Sequence, residues 1–262
     1  LSKVLFKYYY DTRKNIGVDH PYLKEKDTPW AEDFLLSPVS KEIPSWFKAV
    51  PPKSEEDTDI YHADTQTLRF CPSFMNFFRS GYVVKNMIDF EVSKTEDGGY
   101  RTLTGVHDFP HVSTHGDKQF GEGYPFPKGY IPFSFKFTSP YKMVPSRDVV
   151  AMIQPCWWSH TNELVSAIPG MINLPKGVHY QYNINSFIKE PQDGKPTLIP
   201  ALTPLAHLFF FDEVDTKFER DDSMHDTKEA AWWRTKNVFY TARRSIIKPV
   251  DRMGKFLMKG SK

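Results

Sequence analysis

His107, Asp108, His111 and His115 form the densest group of side chains able to do chemistry. Imidazoles and carboxylates are common ligands of divalent metals, and spacings of four would place them on one face of a helix. Gly105, Pro110 and Gly116 argue against a helix at that point. A loop could still gather two imidazoles and Asp108 around an ion. The expectation is a turn-rich loop, metal-free or at most structurally metallated. His62-Ala63-Asp64 matches the first half of the two-histidine, one-carboxylate triad of non-haem iron oxygenases, but it lies in a polar stretch rather than on a strand.

Nucleophilic chemistry has less support. No serine stands in a nucleophile-elbow pattern, and no Gly-rich phosphate loop is present. Cys156 precedes Trp157-Trp158 in a segment that reads as buried, which favours an inert thiol. Cys71 and Cys156 together read as two buried thiols, which suits a reducing compartment. The acid pairs Glu55-Glu56 and Asp221-Asp222 fall in polar loops and read as solvated. No catalytic residue and no cofactor is therefore assigned.

The last stretch carries a different signal. Residues 228–262 hold ten Lys/Arg and two acids, a net charge of +8, and the remaining 24 basic and 30 acidic residues give -6. Asp226 or Thr227 can cap a helix start. Trp232, Phe239 and Tyr240 then share one face at helical spacing, with Trp233 at its edge, until Pro249 and Gly254 interrupt the pattern. Trp232, Trp233, Arg243, Arg244 and Lys248 are the candidate partner-binding residues. Stacking rings among cations suit single-stranded nucleic acid. A protein partner is favoured, because Pro249 and Gly254 break the basic stretch and no base-reading motif is present.

The elements that must position these groups read mainly as strands. The chain has 262 residues, 15% aromatic, with 21 prolines, so short strands and rigid loops are expected rather than a helical bundle. The mean hydropathy is -0.51, and with no run of 18 apolar residues no membrane-spanning helix is expected. Lys3 and Lys7, the latter between Phe6 and Tyr8, interrupt the opening run, so no apolar signal core is expected there. Residues 1–50 read as an extended arm that begins with the β-type run Val4–Tyr10. Residues 51–226 read as a β body, and 227–262 as a helix and basic tail.

Within the body, Phe74–Phe78 reads as a short helix closed by Gly81, followed by a strand at Tyr82-Val83-Val84. Ile88, Phe90 and Val92 alternate with Asp89 and Glu91, and the Asp97-Gly98-Gly99 turn makes this the clearest hairpin. Residues 107–130 read as loop. Further strands are expected at 133–138, 149–154, 164–172 (broken at Pro169-Gly170), 178–184 and 205–211. This spacing predicts a distorted β-sandwich or a jelly-roll or β-clip-like barrel.

Three stretches then carry a resemblance. They are Leu68-Arg69-Phe70-Cys71-Pro72-Ser73-Phe74, running on to Gly81-Tyr82-Val83-Val84; His115-Gly116-Asp117-Lys118-Gln119-Phe120-Gly121-Glu122-Gly123; and Thr203-Pro204-Leu205-Ala206-His207-Leu208 after Gly170-Met171-Ile172. Their order resembles a family of unknown function from T-even-like phages of marine bacteria. That family has no established activity to carry over. The extended arm, the proline-rich loops and the charge split suit packing between subunits, so the expectation is a non-enzymatic structural or accessory protein of a virion, present in the host cytoplasm during assembly. Its partners would be other virion proteins or further copies of itself. Gly170-Met171-Ile172-Asn173 and the later Leu205-Ala206-His207-Leu208 are also similar in layout to the trimeric dUTPases and dCTP deaminases. That likeness implies a nucleotide-handling enzyme with an altered site, since Asn173 stands where a water-activating Asp would be and His207 replaces a Gln.

Overall fold

The computed structural model describes residues 2–8, 35–52, 67–86, 89–104, 112–115, 120, 124–212 and 214–220. The alternating apolar pattern becomes three sheets, none closed into a barrel, so the barrel form of the expected fold is set aside for a mainly β, sandwich-like arrangement. The first sheet runs β14 (Val214–Arg220), β1 (Ser2–Tyr8), β7 (Ser134–Pro145), β11 (Tyr180–Ile188), β9 (Val165–Ala167), with β6 (Val112–His115) also on β7. The second runs β10 (Gly170–Leu174), β8 (Val149–Pro155), β13 (Pro204–Phe210), β3 (Tyr82–Lys85), β2 (Leu36–Pro38). The third runs β12 (Thr197–Ile199), β4 (Phe90–Lys94), β5 (Tyr100–Thr104).

The stretch expected as an arm contributes to this body. β1 lies parallel to β14 and antiparallel to β7, with Val4 and Phe6 fully buried. Its alternation is the reason, because a strand with one apolar face gains most by turning that face to a core. The Phe6 ring lies 5.5 Å from Tyr82 and 6.3 Å from Phe210, and so joins the first sheet to the second. Phe90 closes the third sheet over the same core through Phe135 at 5.6 Å and Phe137 at 5.7 Å.

β7 is longer than its sequence pattern suggests. Pro140 has no N–H to give a ladder and reads as a strand end. Between Gln181 and Asn183 of β11, however, the pairing on β7 steps from Lys142 to Thr138, so Ser139-Pro140-Tyr141 bulges out. Ser139 Oγ accepts the Tyr141 N–H at 3.1 Å inside this bulge. The bulge divides β7, which pairs with β6 along its first half and with β1 along its second.

Two further corrections concern loops and strands. The stretch expected as loop at 107–130 contains β6, which pairs Val112–His115 with Phe137–Ser134. The stretch expected as one broken strand at 164–172 is two strands in different sheets, since β9 pairs with β11 and β10 with β8. Pro169 separates them by denying a ladder donor at the crossing. The expected hairpin is present as β4 and β5, with Gly98 at φ +81° in its turn. The stretch expected as a C-terminal helix and basic tail, with Trp232, Trp233, Arg243, Arg244 and Lys248, lies outside the described residues.

Candidate functional site

The outer face of the second sheet is covered by two short helices, α1 (Ser45–Ala49) and α2 (Pro72–Phe77). Pro44 precedes α1 and Pro72 opens α2, positions where a missing N–H costs nothing. Phe74, Phe77 and Phe78 recur three and four residues apart, so their rings fall on one side of α2. That side meets Val83, Cys156 and Trp158, which with Val39, Phe47 and Phe78 form a second buried cluster. Gly81, at φ +82°, lets the chain turn from α2 into β3.

A series of rings crosses this face. Phe211 lies 5.6 Å from Phe209, Phe209 5.4 Å from His207, and His207 4.8 Å from Phe77. The series continues from Phe77 to Trp157 at 5.6 Å, from Trp157 to Phe74 at 6.0 Å, and from Phe74 to Phe47 at 6.3 Å. Two members are open to solvent. Trp157 is 47% exposed and Phe211 57%, and the nearby segment carries Phe70 at 46%. Exposed Lys48, Arg69 and Arg79 lie on the same segments. Glu42 is engaged elsewhere, 2.6 Å from Lys85 Nζ and 2.7 Å from Ser37 Oγ.

His207 is the polar member of the series and is buried. Its Nε2 lies 2.7 Å from the Ser80 carbonyl and its Nδ1 3.4 Å from Gln154 Nε2. A neutral ring that donates from Nε2 and accepts at Nδ1 satisfies both neighbours. Burial holds its pKa below the usual imidazole value, opposed by the Ser80 carbonyl. Asn173, by contrast, is exposed on β10. It pairs with Val150, while His207 pairs with Gln154, four positions further along β8. The two residues singled out by the dUTPase-like layout therefore do not share a site.

His115 lies at the end of β6 and lines a cleft of about 300 Å³ where the chain passes between sheets at Ile168-Pro169-Gly170. Lys136 of β7 and Asn183 and Asn185 of β11 also line it, as do Tyr180 and Met171. His107, Asp108 and His111 lie outside the described residues, as do His62 and Asp64. Among the described residues, no three His, Cys, Asp or Glu side chains gather as metal ligands would.

The two thiols differ. Cys156 is buried, and desolvation pushes its pKa up, as an inert thiol requires. Cys71 is only partly covered, which corrects the expectation of two buried thiols, and the backbone N–H groups of Phe74 and Ser73 lower its pKa. Trp157 also departs from expectation. It is exposed while its neighbour Trp158 is 5% exposed, because the turn after β8 points adjacent side chains in different directions.

No family model matches this chain, and no curated protein matches it.

Proposed function

We propose that the protein is a non-enzymatic structural or accessory subunit of a tailed-phage particle that packs against other virion proteins or further copies of itself. The observation that carries this reading is the exposed aromatic series on the outer face of the second sheet. Trp157, Phe70 and Phe211 present large apolar surface, and exposed Arg69 and Arg79 lie next in sequence to Phe70 and to Phe78. Aromatic residues and arginine are the types enriched at protein interfaces and among the residues that dominate their energy. The order of the three motif stretches, similar to the phage family, supports the setting. The charge split between residues 228–262 and the rest supports docking on acidic neighbours. Trp232, Trp233, Arg243, Arg244 and Lys248 belong to that second contact.

The test is mass spectrometry of purified particles from an infected culture, with copy number taken against a known subunit. A fixed stoichiometry in washed particles is expected. Absence from particles while the protein is abundant in the lysate would refute the reading.

A further inference from the structure

We propose that the cleft at the crossing between the first and second sheets binds an acidic sugar, a site that goes beyond the packing role and does not depend on it. The cleft is about 300 Å³, at the small end of ligand sites and suited to a single ring. Lys136 and Asn185 are direct partners across β7 and β11, and Asn183 lies two residues along the same strand face. Among the described residues, none of these three side chains has a hydrogen-bond or ion-pair partner. Asn is disfavoured in strands, and here two alternate in the middle of a sheet with nothing internal to offset them. Breaks of local preference are expected at functional sites.

The ligand class follows from the donor set. Lys136 supplies a cation that attracts a carboxylate or a phosphate. The two amides each donate and accept. Phosphate is rich in acceptors and can take the Lys136 ammonium and the amide N–H groups but offers few donors to the amide oxygens, whereas sugar hydroxyls satisfy donor and acceptor alike. Tyr180, Ile172 and the 67%-exposed Met171 add an apolar wall for the C–H face of a sugar ring. His115 lines the end of the cleft. A free sugar acid and a uronic acid residue of a polysaccharide present this same chemistry.

The experiment titrates the full chain with D-glucuronate, D-glucose, inorganic phosphate and a glucuronate oligomer, followed by calorimetry or amide chemical shifts. Glucuronate is expected to bind at least about tenfold more tightly than glucose, and Lys136→Met to remove that preference. Asn185→Ala, at an exposed position where folding is not at risk, is expected to weaken both sugars. An oligomer tighter than the monomer assigns a polysaccharide, and equal affinities assign the free sugar acid. The proposal fails if glucuronate shows no binding at about 10 mM, if phosphate binds as tightly, or if the preference survives in Lys136→Met.

Discussion

His207 is a titratable group held among rings, and its burial has a consequence for acid stability. Its folded pKa is depressed below 6.5 by desolvation. Above that value the ring is neutral in both folded and unfolded chains, and it adds no pH dependence. As pH falls through 6.5 the unfolded chain gains a proton that the folded chain refuses. Stability is therefore lost from that point down to the folded pKa and then levels off. Urea unfolding of wild type and His207→Gln, compared from about pH 7.5 to about pH 5, is expected to show this loss in wild type alone. At neutral pH the variant is expected to be less stable by about 1 kcal/mol, since an amide replaces the ring and keeps one donor. Equal acid sensitivity in both proteins would place the effect elsewhere. Residue type alone pointed to His207 through a likeness in motif layout. Its actual role was not legible, because the groups that bury it come from α2 and Ser80, far away in sequence. Asn183 falls in the strand expected at 178–184 and Asn185 just beyond it, and neither stands out in the sequence, because their register with Lys136 requires the sheet.

Gly81 and Gly98 share the same left-handed backbone but differ in surroundings, and that separates two causes of glycine dependence. A Cβ at Gly98 would meet nothing within 4 Å, whereas one at Gly81 would press on the Leu208 carbonyl and come within 2.7 Å of Phe209 Cβ. Gly98→Ala is expected to cost about 1 kcal/mol from backbone strain alone. Gly81→Ala adds a backbone clash with β13 and is expected to cost about 2–4 kcal/mol. Chemical denaturation of the two variants checks the difference, and similar costs would mean that the α2–β3 turn relaxes freely. The β4–β5 hairpin was legible because its alternation and turn residues are local. The continuation of β7 through Pro140 was not, because the bulge that absorbs the proline is defined by the partner strand. The split of β9 and β10 between two sheets was hidden for the same reason. A proline marks a break, but the sheet that each half joins depends on long-range pairing.

At the scale of the molecule, the proposed packing role has two candidate surfaces: the aromatic face of the body and the basic stretch at residues 228–262. The difference in physics makes them separable. Burying Trp157 and Phe211 against a partner removes apolar area from water, and salt changes that little. Tail contacts between opposite charges weaken as the screening length falls from about 10 Å at 0.1 M to about 3 Å at 1 M. Trp157 and Phe211 are about half exposed, so Trp157→Ser with Phe211→Ser is expected to leave a cooperatively folded chain. If these rings dominate the interface, each truncation costs about 2 kcal/mol of binding, roughly thirtyfold in affinity. Wild-type and doubly substituted chains produced together should then compete unequally for incorporation, with the variant nearly absent from particles at both low and high salt. Deleting residues 249–262 removes four Lys/Arg and one Asp, and should weaken incorporation only modestly, with the remainder less sensitive to salt. Equal incorporation of the Ser variant, together with loss of the truncated chain, would move the interface from the aromatic face to the tail. Binding of the wild type to single-stranded DNA that falls steeply with salt and vanishes on truncation would identify a nucleic-acid partner for the tail instead.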